Sequence, residues 1–316
     1  MSYYLGFDGG GTKTESALID GHGAVVAHGV GGPSNPLRVG FDQAFVALGT
    51  ATNNALSAAR LEPRQIRGVC AGLAGAGQAR VVKRVMAFLV ETFPTAFVHV
   101  TTDLEVALEA AVGTGPGVVL IAGTGSAAYG RNASGQTARA GGHGPWIGDE
   151  GSAFDVGRQG VAAVARARDA LAPVTRLAEL IPAALECASW EALTERIAQN
   201  PDEVFPRVFP VVAEAADAAD GPAREILFTA ALGLSMLASS VIRKLDLAEE
   251  EFVLAKAGGV FGRCQLLDSA LNSLIASAAR RAKIEPLRVP PAEGAARLAK
   301  RLSGLTDRKT VHGTEA

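Results

Sequence analysis

The sequence predicts an α/β protein of two similar halves, each a mixed sheet covered by helices, and three observations carry that reading. Two apolar strands, near residues 3–7 and 117–122, each run into a loop of glycines and hydroxyls and return as a second strand. The element order βββαβαβα read over residues 3–112 begins again after the turn Gly113-Thr114-Gly115-Pro116-Gly117. With 316 residues and 48% hydrophobic content, the chain can bury one large or two medium cores, and two suits this length.

Taken in order, apolar runs of strand length fall near 3–7, 15–19, 24–28, 66–71 and 97–101, and helical spacing covers 41–59, 78–91 and 104–112. The second half gives strands near 117–122, 127–131 and 137–141, a helix opening near Ser152, helical sequence to about 245, a strand at 252–256, a helix at 262–282, a strand at 286–289 and a last helix at 292–303. Residues 226–242 are apolar, but Leu227, Ala230, Leu234, Leu237, Val241 and Leu245 recur at helical spacing and serines interrupt the run, which predicts a core helix rather than a membrane span. Residues 173–222, rich in Ala, Pro and acids, read as a helical insertion. The domain expectation is 1–112, completed by a helix at about 291–304, then 113–290, with a polar, frayed tail over 305–316.

A net charge of -2 gives no basic footprint, which argues against nucleic acid as a partner. Cys70, Cys187 and Cys264 are odd in number and far apart, against a disulfide framework, a zinc site or an iron–sulfur cluster. The N-terminus enters a strand with no basic segment and apolar core before it, so a cytoplasmic location and no membrane partner are expected.

The first loop, Asp8-Gly9-Gly10-Gly11-Thr12-Lys13-Thr14, has the chemistry to handle phosphate: glycines bring the backbone close to an anion, N–H and hydroxyl groups bind its oxygens, and Asp8 can hold the water shell of Mg²⁺. The second, Gly123-Thr124-Gly125-Ser126, repeats the pattern. Neither ends in the Gly-Lys-Ser/Thr of a P-loop, and a strand rather than a helix follows each. Two such hairpins facing one cleft fit a nucleotide held between two domains. Asp103 follows the strand at 97–101, at the carboxyl end where open α/β sheets place ligands, though an aspartate there can also cap the helix. Asp149 and Glu150 stand in a glycine-flanked loop before a helix, with room to face a cavity or to complement the helix dipole. Gly258-Gly259 lets the backbone lie flat against a nucleobase or ribose, or simply turns a strand into a helix.

These strings, with Thr101-Thr102-Asp103, the run from Gly141 through Gly148-Asp149-Glu150-Gly151-Ser152-Ala153, and Ala257-Gly258-Gly259-Val260, resemble the N-acetylglucosamine kinases of the BadF/BadG/BcrA/BcrD group in the actin-like, sugar-kinase and Hsp70 ATPase superfamily. The resemblance runs from residue 3 to about 303. It implies two ribonuclease H-like (actin-like ATPase) domains with an active-site cleft between them, ATP and Mg²⁺ as cofactors, and an amino sugar as substrate. It implies that Asp8, Gly10, Gly11, Thr12 and Lys13 surround the β- and γ-phosphates and the metal, that Gly123, Thr124 and Gly125 meet the phosphates, and that Gly258 and Gly259 lie beside adenosine. Asp103 would be the base for the sugar hydroxyl, with Asn35, the Ala74-Gly75-Ala76 turn and Asp149 as sugar contacts. The Ala-Gly-Ala turn replaces a more polar one, and Pro36-Leu37 replaces a His-Trp pair, so the choice among N-acetylglucosamine, glucosamine and related sugars stays open, as does a homodimer. Alternatives are a glucosamine kinase of the same fold, an ATPase that activates a redox partner, or a catalytically silent sugar sensor. His143 and Trp146 flank the Asp149 loop and stay outside the catalytic set.

Overall fold

The computed structural model describes residues 2–312, with side chains described to residue 305. The chain divides into two compact units, one of residues to 114 together with those from 287 onward, the other of residues 115–286.

In the first unit a meander of β1 (Tyr3–Gly9), β2 (Thr14–Asp20) and β3 (Val25–Gly31) is followed by α1 (Pro36–Val39), α2 (Phe41–Ala59), β4 (Ile66–Leu73), α3 (Ala79–Thr92), β5 (Phe97–Thr101) and α4 (Asp103–Val112). The sheet order is β3-β2-β1-β4-β5. β1 runs antiparallel to β2 and parallel to β4, and its paired register puts Asp8, Gly72 and Thr101 on one line across three strands. Leu5, Phe7, Leu18, Ile66 and Val69 are fully buried, which fixes which face of the meander turns inward and hence its register.

The second unit repeats the plan with β6 (Gly117–Ala122), β7 (Ser126–Arg131) and β8 (Thr137–Gly141), then α5 (Ala153–Arg168), α6 (Leu177–Ala184), α7 (Trp190–Gln199), α8 (Pro201–Asp217), α9 (Gly221–Lys244), β9 (Phe252–Ala257), α10 (Gln265–Ala278) and β10 (Ala282–Pro286). Its order, β8-β7-β6-β9-β10, is that of the first sheet strand for strand, the ribonuclease H-like arrangement. α9 is long and apolar enough to cross a membrane by length and composition alone. Its Leu227, Ala230, Ala231, Leu234, Ala238 and Val241 are buried in the core of this unit.

Two boundaries depart from the sequence reading. The strand expected at 286–289 lies at Ala282–Pro286, and the helix before it stops at Ala278. Pairing decides this: Ala282 to Pro286 lie beside Phe252 to Lys256 of β9, and local propensity yields to that register. The final helix, α11 (Pro291–His312), runs past 303–304, so the tail expected from 305 is helical to His312, and 313–316 lie outside the described residues. No proline follows Gly304 to stop it. α11 lies directly on β1, where a Cβ on Gly6 would fall 2.2 Å from both Ala292 O and Ala296 N.

Candidate active site

Three segments of the first unit converge on the turn after β1. Gly10 N–H donates to Lys13 O at 3.0 Å and closes the glycine loop. Gly10 O accepts from the N–H groups of Ser34 and Asn35, at 3.0 and 3.1 Å, and Ala74 N–H donates to Gly9 O at 2.8 Å. Thr14 Oγ1 and Ser34 Oγ complete the support with a buried 2.7 Å hydrogen bond. The predicted loop 8–13, Asn35 and the 74–76 turn are therefore one structure, held by backbone hydrogen bonds.

Asn35 and Ala76 sit there with altered duties. Asn35 Oδ1 accepts from Leu37 N–H at 3.0 Å and caps α1, leaving its amide nitrogen as the group it can offer a sugar. Ala76 is buried in the hydrophobic core, so its methyl group faces away from any ligand and only its backbone can take part. Gly75 lies against Asn35, with a Cβ at that position falling 2.9 Å from Asn35 Oδ1.

Asp103 is the first residue of α4, while the cap is Thr102, whose Oγ1 accepts from Glu105 N–H at 3.3 Å. The capping role open to Asp103 in the sequence thus belongs to its neighbour. Asp8 stands at the end of β1, and burial, reinforced by the carboxylates of Asp103 and Glu15 and opposed by Lys13, pushes its pKa up to about 7. A concentration of negative charge this costly suits a bound cation. The oxygen donors are of the kind Mg²⁺ uses, one or two carboxylates with the remaining positions filled by water and phosphate. Lys13 is exposed and pairs with Glu15 at 2.7 Å. Arg38 was not singled out from sequence: a Cβ on Gly11 would lie 2.8 Å from its Nη1, so the guanidinium covers the glycine loop. Only its place one turn beyond Asn35 could have pointed to it.

In the second unit, the β6–β7 loop is closed by Gly123 N–H to Gly125 O at 2.9 Å. Asp149 is buried and turns to this loop: its Oδ1 accepts from Ser126 N–H at 3.3 Å, and its Oδ2 lies 2.7 Å from the Cβ position of Gly125. Its φ of 64° is left-handed, a conformation Asp tolerates better than most residues. Burial raises its pKa; the Ser126 N–H pulls it back, the charge of Glu150 adds to the rise, and Gly144 N–H and His143 oppose it. Glu150 is exposed, and its backbone carbonyl accepts from Ser126 Oγ at 2.8 Å. Ser152 caps α5, and Ala153 N–H donates to Gly123 O at 2.8 Å. The loop 141–152 and the hairpin loop hold each other.

Gly258 and Gly259 differ. Gly258 has φ 107°, and a Cβ there would fall 2.2 Å from Ala122 O at the end of β6. Gly259 has open space at its Cβ position, which leaves its backbone approachable by a flat ligand. Trp146 is 74% exposed, its ring edge-on to Phe154 at 5.9 Å. Among the described residues no three His, Cys, Asp or Glu side chains are grouped to hold a metal by themselves.

Comparison with known proteins identifies the family. The model of the BadF/BadG/BcrA/BcrD ATPase family matches residues 5–299. An N-acetyl-D-glucosamine kinase of Dictyostelium discoideum is 30% identical over 310 residues, 94% of this chain and 97% of that protein. An N-acetylmuramic acid/N-acetylglucosamine kinase of Clostridium acetobutylicum is 29% identical over 84% of this chain and 88% of its own. A crystal structure from Chromobacterium violaceum with a provisional N-acetylglucosamine kinase assignment aligns at a TM-score of 0.76 and 25% identity, covering 94% of this chain and 98% of that one. Duplicated sheets, two glycine hairpins and a family match over almost the whole length make this chain a member of the BadF/BadG/BcrA/BcrD ATPase family.

Proposed function

We propose that this chain transfers the γ-phosphoryl group of ATP to the 6-hydroxyl of an amino sugar, with N-acetylglucosamine the preferred acceptor. The observation that carries the reading is the convergence of Asp8, the Gly10–Lys13 loop, Asn35 and the 74–76 turn in one hydrogen-bonded cluster, with Asp103 close enough to raise the pKa of Asp8. The amino sugars on which the Dictyostelium and Clostridium relatives act support the substrate class.

Phosphoryl transfer asks mainly for alignment and charge neutralisation. Asp103 accepts the proton of the sugar hydroxyl and orients its oxygen. Asp8 would hold Mg²⁺, which would supply neutralisation of phosphate charge when bound. The backbone N–H groups of Gly11 and Thr12, with Arg38 and Lys13, bind phosphate oxygens at the first loop. Gly123, Thr124 and Gly125 supply the same chemistry on the second hairpin, and Gly259 lies flat beside adenosine. Asp149 acts on the sugar through the loop it shapes and through the lone pairs that Ser126 N–H leaves open. The small side chain at Ala74 leaves room for a 2-acetamido group, while the space beside Gly75 is taken by Asn35 and Leu37.

The test is a coupled ADP-release assay with Mg-ATP across N-acetylglucosamine, glucosamine, N-acetylmannosamine, N-acetylmuramate and glucose. N-acetylglucosamine is expected to exceed glucose in kcat/KM by roughly 10–200-fold, the worth of one small group in a fitted pocket. Preference for glucosamine would instead place the exposed Glu150 carboxylate at the 2-amino group. No ADP release with any sugar would overturn the kinase reading.

A further inference from the structure

At the other end of β2 the first unit has a second concentration of charge. Arg297, Lys300 and Arg301 occupy one stripe of α11, at i, i+3 and i+4, and meet the β2–β3 turn at His22 and Gly23. With Ile19 they line a cavity of about 470 Å³, within the range of small-molecule sites. β2 separates it from the glycine loop by about 20 Å, six residues at strand rise. The catalytic reading uses none of these side chains.

The cations are incompletely matched. Arg301 pairs with the buried Glu109 at 2.7 Å, and Arg297 with Glu293 at 3.4 Å. Lys300 has no ion-pair partner among the described residues, and its Nζ lies 3.7 Å from the Cβ position of Gly23. Asp20, the nearest acid on the turn, spends Oδ1 on the N–H groups of His22 and Ala24, at 2.8 and 2.9 Å.

We propose that this cavity is a regulatory site for the phosphate group of a small phosphorylated molecule, with Lys300 and Arg297 supplying charge beside the Arg301 guanidinium. Guanidinium and ammonium groups together are the usual chemistry for a phosphate dianion. Two elements carry the occupancy toward the reaction. α11 rests on β1, which carries Asp8 next to its last residue, and Arg301 holds Glu109 on α4, which begins at Asp103. The site itself does not depend on the kinase reading, because binding there can be measured without turnover.

The experiment is calorimetric titration of the full chain with inorganic phosphate, N-acetylglucosamine 6-phosphate and ATP, repeated with ADP and N-acetylglucosamine saturating to fill the catalytic site. The comparison is with Arg297→Ala/Lys300→Ala, and with Lys283→Ala as a control for loss of a surface cation elsewhere. The phosphate compound is expected to bind the wild type and the control alike, and the double variant at least tenfold more weakly, with ADP affinity unchanged. Tighter binding of the sugar ester than of inorganic phosphate makes the ester the occupant, and equal binding makes it the free anion. Equal affinity in wild type and double variant, or no binding by about 10 mM of any compound, would overturn the site. A fold-change in kcat on saturation that disappears in the double variant would establish the regulatory part, and an unchanged kcat would refute it.

Discussion

The two glycine hairpins share a backbone plan and differ in where their acid comes from. The β1–β2 loop carries its own, Asp8, at the end of the strand, and is buttressed by Ser34, Asn35 and Ala74 through main-chain hydrogen bonds. The β6–β7 loop has no acid, and Asp149 reaches it from a segment 23 residues further along the chain. In the first, a carboxylate destabilised by burial, and further by the charges of Asp103 and Glu15, suits a cation. In the second, a carboxylate accepts a backbone N–H and packs against Gly125, so it shapes the loop. One topology therefore hosts a buried acid on its own strand in one unit and an acid borrowed from a later loop in the other, because sheet order fixes the loop but not which side chains surround it.

The largest effect should come from the first unit. Asp103→Asn is expected to lower kcat by roughly 10²–10⁴-fold, the range for losing a positioned base, with the sugar Kd and the melting temperature nearly unchanged. Rapid turnover by the variant would remove Asp103 from the base role and leave the first unit without its distinguishing chemistry.

Next come the paired glycines beside the second hairpin. Gly258→Ala forces a Cβ to within 2.2 Å of Ala122 O at a φ of 107°, and overlap of that kind costs about 1–3 kcal/mol, with backbone strain adding about as much again. Gly259→Ala meets no atom and should leave stability unchanged while weakening nucleotide binding. Chemical denaturation of both, with ADP titration, measures the contrast, and equal stability of the two variants would contradict the packing at β6.

Asp149 separates the hairpins most directly. Asp149→Ala leaves Ser126 N–H without its acceptor, a loss of about 1–3 kcal/mol for a buried group, and sets a residue less tolerant of positive φ in its place. Asp149→Asn keeps an acceptor and tolerates that φ, so it should recover most of the stability while still losing sugar affinity. If the alanine variant melts with the wild type, Asp149 is not a structural part of the second loop.

pH dependence tests the acid of the first hairpin separately. The Asp8 carboxyl titrates near 3.8 when unfolded and at about 7 in the fold, so between these values the folded chain binds more protons. Stability from this group is therefore lost as pH rises through that window. Melting temperatures at about pH 5 and pH 8 should differ in the wild type by more than in Asp8→Asn, and Mg-ATP should narrow the difference by supplying a counter-charge. Parallel pH profiles of the two proteins would show that Asp8 is not desolvated.

The sequence alone determined the parts that are local. Hydrophobic period and turn chemistry placed the meanders, the repeat of their order after residue 113, both glycine loops and the core helix around residues 227–241, since each of these is settled by a few neighbouring residues. It also brought Asp103 and Asp149 into view as acids beside helix starts, but not their surroundings. Tertiary structure decided that Thr102 takes the cap beside Asp103, that Asn35 Oδ1 is spent on α1, that Ala76 belongs to the core, that Arg38 covers Gly11, and that Asp149 faces Ser126. It also moved the last strand to Ala282–Pro286 and set Lys300 and Arg301 against the turn at His22. Apart from the two helix caps, which neighbouring residues share, these are contacts between residues far apart in the chain, where desolvation, steric reach and hydrogen-bond geometry depend on which elements pack together, and periodicity along the sequence carries no record of that.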